Sequence, residues 1–131
     1  MSHVQLRSTI AALALTALAG FANAAAIQPF STAALKAAQA HGQPVLVDAH
    51  ADWCPTCRAQ APTISAISKD PAFSRLVILK LDYDKQVQEK RALGIQHQST
   101  LIAFAGPRET ARATGITDPG AIRALATSAL R

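Results

Sequence analysis

A three-layer α/β sandwich on a central four-stranded mixed sheet is the fold class this sequence predicts, and three observations predict it. From residue 45 onward, apolar runs of strand length alternate with longer segments of helical period. Two of those runs, Val45 to Ala49 and Leu76 to Tyr83, are nearly unbroken, as strands covered on both faces are. Gly106-Pro107-Arg108 reads as a hairpin turn, which adds an antiparallel edge to strands otherwise paired in parallel through right-handed crossovers.

The chain opens on a segment that belongs to none of these layers. Met1 to Arg7 is short and carries His3 and Arg7, Ile10 to Leu18 is apolar, and Ala22-Asn23-Ala24 offers the small residues that a signal peptidase requires. The expectation is a leader over residues 1–24, cleaved after Ala24, and a single exported domain over 25–131 that sits in the periplasm. An uncleaved anchor fits less well, because Thr16, Gly20 and Asn23 interrupt a stretch that would need about 20 strongly apolar residues to span a bilayer.

Ser31 is placed to cap a first helix from Thr32 to Ala40, its hydroxyl accepting from a first-turn amide. Gly42 and Pro44 end that helix. The strand Val45 to Ala49 leads through Trp53-Cys54-Pro55-Thr56-Cys57 into a helix from about Pro55 to Ser68, with Ala61, Ile64 and Ile67 as its apolar face and Pro62 inside it. After Asp70-Pro71, the second strand sets Val77, Leu79 and Leu81 on one side and Ile78 and Lys80 on the other. Asp84 is positioned to cap a helix from Lys85 to Leu93, ended by Gly94. Leu101 to Ala105 and Glu109 to Thr114 form the hairpin. Thr117 or Asp118 then caps a last helix whose Ile122, Leu125, Ala126 and Ala129 share one face.

Half of the residues are apolar and 16% are charged, which suits one small globular domain plus an apolar terminus. Without Arg7 the domain carries 12 basic against 8 acidic residues, a net charge of +4. The basic residues are dispersed, with only Lys90 and Arg91 adjacent, so nothing suggests a nucleic-acid partner.

Both cysteines of the chain fall in one four-residue stretch, Cys54 to Cys57. A disulfide closing so short a loop removes only about 1.9 kcal/mol of chain entropy, against about 4.7 for a loop of 100 residues. Reversible chemistry is therefore a better reason for the pair than stability. Cys54 stands where a strand pattern gives way to a helix pattern, and a helix N-terminus favours negative charge on sulfur. A thiol of pKa about 8.5 is about 3% ionised at pH 7, whereas one lowered to about 7 is half ionised. Cys54 is the expected nucleophile, with its sulfur exposed, and Cys57 the resolving thiol one turn further in.

The run Val47-Asp48-Ala49-His50-Ala51-Asp52-Trp53-Cys54-Pro55-Thr56-Cys57, with Pro62, Leu79-Lys80-Leu81-Asp82, Gly94-Ile95 and Thr100-Leu101-Ile102-Ala103-Phe104 after it, resembles the thioredoxin family over nearly the whole domain. Ala51-Asp52-Trp53-Cys54 is most similar to exported members such as the C-terminal domain of DsbD-type reductases. The resemblance implies a thioredoxin-like sandwich and a thiol-disulfide oxidoreductase acting on protein disulfides. It implies no cofactor, a monomer, and a membrane electron donor of the DsbD/CcdA type. The substrate face would comprise Trp53, Pro55, Thr56, Gln98, Ser99 and Thr100.

Asp48 is an acid in an apolar strand, where an unpaired charge is costly to bury. The resemblance implies a proton acceptor for Cys57, with Lys80 as its charge partner; a structural ion pair or a strand end reaching solvent are the other readings. Ser99 departs from the family, standing where a cis proline faces the disulfide. A non-proline cis bond costs about 2.5–4 kcal/mol, so Gln98-Ser99 is expected to be trans. The departure raises a competing class, a metal-binding or metal-delivery module. Cys54, Cys57, His50 and His97 would supply four ligands by count alone. A non-catalytic peptide-binding domain is the third reading.

Overall fold

The computed structural model describes residues 25–131, so the leader expected over residues 1–24 lies outside the described residues. Its elements are β1 (Ile27–Pro29), α1 (Thr32–Ala40), β2 (Pro44–His50), α2 (Pro55–Lys69), a 3-10 turn (Pro71–Phe73), β3 (Val77–Asp82), α3 (Val87–Ala92), β4 (Thr100–Ala105), β5 (Arg108–Thr114) and α4 (Pro119–Ser128). Among the described residues, no helix is long and apolar enough to cross a membrane.

The sheet has five strands rather than the expected four, in the order β1-β3-β2-β4-β5. The added strand is β1, paired in parallel with β3 from Ile27 opposite Ile78 to Pro29 opposite Lys80. Its three residues are exposed and include a proline, which sheets admit at an edge because it lacks a ladder donor. β2 and β3 pair in parallel, and β2–β4 and β4–β5 are antiparallel. The central strand β2 is buried along its whole length, which accounts for its unbroken apolar sequence.

Alternation along β2 sorts its side chains between two cores. Leu46, with Ile78, Leu101 and Ala103, packs under Ile64 and Ile67 of α2 and Ile122 and Leu125 of α4. Val45, Val47 and Ala49, with Leu79, Leu81, Ile102 and Phe104, pack against Leu35 and Ala38 of α1 and against Phe30 and Ile95. Burying each such side chain contributes roughly 1.5–3 kcal/mol, so the two cores fix which face every β2 residue occupies. Asp48 and His50 consequently share the α2–α4 face with Leu46.

The helices form where their caps allow. Ser31 accepts from the Ala34 amide at 3.0 Å, and Asp118, not Thr117, caps α4 through the Ala121 amide. Asp84 does not cap α3. Asp82 already accepts from the amides of Asp84 and Lys85, and that turn delays the helix to Val87 behind Gln86, which makes no side-chain cap. The buried side of α2 is Cys57, Gln60, Ile64 and Ile67, while Ala61, expected on the apolar face, is exposed. A buried glutamine takes the place that spacing had given to the alanine, because its amide finds two carbonyl acceptors.

Candidate active site

The site lies where β2 ends and α2 begins. Cys54 is the N-cap of α2, in extended backbone (φ −81°, ψ 115°), with Pro55 at the first helical position, where a missing amide hydrogen costs nothing. Its Sγ accepts from the Cys57 amide at 3.2 Å. The Thr56 amide and the Gln98 side chain also favour its charged form. Burial raises the Cys54 thiol, but the Cys57 thiol, these two amides and Gln98 together outweigh burial and hold it below its ordinary value.

The expected exposure of Cys54 is not met, since the residue is only 1% exposed. Ala51 and Tyr83 pack around the two cysteines and Gln98 reaches the sulfur, so the cover comes from side chains and the turn itself. The flanking Trp53 and Pro55 are both exposed.

Cys57 has the opposite character. Burial pushes its thiol up to about 11, aided by the hydrogen bond it gives to Cys54 and by the neighbouring sulfur's charge. Both cysteines are free, and the Cys57 thiol also points to the Ala49 carbonyl at 3.9 Å. The surroundings thus favour charge on the Cys54 sulfur and the proton on Cys57, which is the division of labour that disulfide exchange needs.

Asp48 precedes that carbonyl by one residue. It is 4% exposed, and burial raises its carboxyl to about 6, opposed by the charges of His50 and Lys80. Lys80 is its register partner on β3, yet it is exposed and, among the described residues, no ion pair joins the two. The expected direct partnership is thus an electrostatic influence across the sheet. Among the described residues, Asp48 Oδ1 and Gln60 Oε1 are buried without a hydrogen-bond partner.

Ser99 meets the cysteines from the other side. The described residues contain no cis peptide bond, and Gln98-Ser99 is trans, as expected. Instead the Ser99 backbone takes a positive φ of 58°, uncommon for a residue with a Cβ. Its amide, which a proline would lack, donates to the Ala49 carbonyl at 2.8 Å. Gln60, which sequence reasoning passed over, holds this loop: its Nε2 donates to the carbonyls of Ser99 (3.2 Å) and Ile116 (2.8 Å). No pattern in the sequence marks it, because both acceptors lie far along the chain.

The remaining predicted residues divide. Trp53 is 57% exposed, its indole donating to Asp84 at 2.8 Å, and Pro55, Thr56 and Gln98 lie at or near the surface beside it. Thr100, expected on the substrate face, is not at that surface. It is buried, donating to the His97 carbonyl and sharing a hydrogen bond with Thr114. The four ligands counted for a metal do not converge: His50 bonds Asp52 at 2.8 Å, and His97 is exposed. Among the described residues, no three histidines, cysteines or acids form a metal-ion cluster.

A pair of cysteines two residues apart at a strand-to-helix junction, on a mixed sheet flanked by helices, defines the thioredoxin class of fold. Residues 26–128 match the thioredoxin family model, and the chain belongs to the thioredoxin family. It is 34% identical to the thioredoxin of Chlamydia muridarum over 74 residues, which is 56% of this chain and 71% of that one. The crystal structure of Trxlp from Edwardsiella tarda superposes with a TM-score of 0.73 at 38% identity, covering 76% of this chain and 98% of that one. Malassezia sympodialis thioredoxin gives a TM-score of 0.71 at 26% identity, covering 80% and 94%.

Proposed function

We propose that this chain is an exported thiol-disulfide oxidoreductase of the periplasm that reduces protein disulfides. The observation that carries the reading is the placement of the pair: Cys54 caps α2 with its Sγ accepting from the Cys57 amide, and Cys57 lies buried one turn further in. The Cys54 thiolate attacks a substrate disulfide, forming a mixed disulfide and expelling the first substrate sulfur as a thiolate. Cys57, at about 11, is about 0.03% ionised at pH 7.5 and needs a base to complete the exchange. Asp48, at about 6, is ionised at that pH and close enough to neutrality to return the proton. Once deprotonated, Cys57 attacks Cys54, the mixed disulfide breaks, and the second substrate sulfur leaves.

The exposed surface around Trp53, Pro55, Thr56 and Gln98 receives the substrate backbone, and no cofactor is required. The reductant direction rests on the likeness of Ala51-Asp52-Trp53-Cys54 to exported reductases, and the export on the leader-like residues 1–24. A membrane donor of the DsbD/CcdA type would regenerate the dithiol, and the protein would work as a monomer. The test is substitution. Cys54→Ser should abolish reduction of a protein disulfide, and Cys57→Ser should accumulate a mixed disulfide visible by mass. Turnover by either variant at the wild-type rate refutes the mechanism.

A further inference from the structure

His50 ends β2 two residues beyond Asp48 and on the same face of the sheet, and it is 9% exposed. Its Nε2 donates to Asp52 Oδ1 at 2.8 Å, and the Asp52 side chain is 97% exposed. A ring whose Nε2–H is held by a carboxylate leaves Nδ1 as the nitrogen that takes a proton. His50, Asp52, Trp53, Lys80, Asp82 and Lys85 line part of a cavity of about 550 Å³ at the sheet edge. Asp48 is not among the residues lining it. Its neighbours along the strand and across it, His50 and Lys80, are.

We propose that His50, held by Asp52, is the proton relay between the buried Asp48 carboxyl and solvent in this cavity. The inference deepens the thiol-exchange reading and rests on it. In the closing step the proton of Cys57 passes to the Asp48 carboxylate, and the Cys57 sulfur bonds to Cys54. The bond from Cys54 to substrate breaks, with its electron pair leaving on the substrate sulfur. Asp48 passes the proton on as the ring closes, and among the described residues its buried Oδ1 has no hydrogen-bond partner to take it. His50 accepts it and releases it to the cavity. Re-reduction of the disulfide runs the same path inward.

The charges facing His50 suit a transient cation. Asp48 precedes it on its own strand, Asp52 follows in the turn after β2, Asp82 is its register partner on β3, and Asp84 lies in the turn beyond. Among the described residues, Lys80 and Lys85 are the lysines lining the cavity, and they offset this in part. His50 touches neither substrate nor sulfur in this role and acts through Asp48.

The test uses an aromatic disulfide, dithiobis-nitrobenzoate, which releases one coloured thiolate when Cys54 attacks and a second when Cys57 closes the ring. His50→Gln should leave the first phase unchanged and slow the second about tenfold at pH 7, less than the 10²–10⁴-fold typical of losing a direct acid-base group. Added imidazole should restore the second phase. In a protein already carrying Asp48→Asn, His50→Gln should cause no further loss. Asp52→Asn, at an exposed side chain, should slow the second phase by a smaller factor and shift its pH profile. A wild-type second phase in both variants, a slowing that imidazole does not relieve, or additive loss with Asp48→Asn overturns the relay. Absence of any second phase in the unsubstituted protein instead refutes the thiol-exchange reading.

Discussion

Replacing Asp48 by Asn should stabilise the protein at neutral pH and barely at all in acid. The folded-state carboxyl sits at about 6 against an ordinary value of 3.8, because it is 4% exposed and has lost its hydration. A raised carboxyl binds its proton more tightly in the folded state, so stability falls as pH rises from about 3.8 through about 6. At pH 7.5 the full penalty of ionising Asp48 in place is present, about 3 kcal/mol for a shift of this size. At pH 4 about 0.5 kcal/mol remains. Any change in packing from the amide is the same at both pH values, so the difference between them isolates the charge. Urea unfolding of the reduced protein with and without Asp48→Asn should therefore give a stability gain roughly 2–3 kcal/mol larger at pH 7.5 than at pH 4. A gain equal at both pH values, or larger in acid, would refute the assignment of a buried, proton-hungry carboxyl.

Gln98 and Ser99 make two further predictions. Gln98→Ala removes a side-chain donor to the Cys54 sulfur, so the pH midpoint of Cys54 alkylation should move upward by a few tenths of a unit to about one; an unmoved or lowered midpoint would remove Gln98 from the site. Ser99→Pro cannot be accommodated on the present backbone, because proline holds φ near −65° where Ser99 has 58°, and because the amide bond to Ala49 would be lost. Thermal unfolding should show a loss of at least about 1 kcal/mol, and a gain would mean that the loop readily adopts another conformation.

What the sequence revealed and what it hid follow from range. β2, β3 and the hydrophobic face of α4 were legible because burial on both sides, or on one helical stripe, leaves its period in the residues themselves. The cysteine pair was legible because four consecutive residues carry it. β1 was not, since three exposed residues ending in proline have no period to read and become a strand only beside β3. Asp84 carries the composition of a helix cap, but whether it caps depends on Asp82 and on the indole of Trp53, which is 31 residues distant in sequence. The grip of Gln60 on Ser99 and Ile116 spans 39 and 56 residues, and the setting of His50 depends on an adjoining strand. The cover over Cys54 has the same origin: a helix start predicts charge on sulfur, while Tyr83 and Gln98, which shield it, come from other parts of the chain.

Site-resolved alkylation of the reduced protein as a function of pH tests the unequal pair most directly. Between pH 6 and pH 9, mass analysis should find iodoacetamide on Cys54 alone, with Cys57 reacting only as the pH approaches about 11. Equal labelling of both sulfurs, or labelling of Cys57 first, would contradict the account.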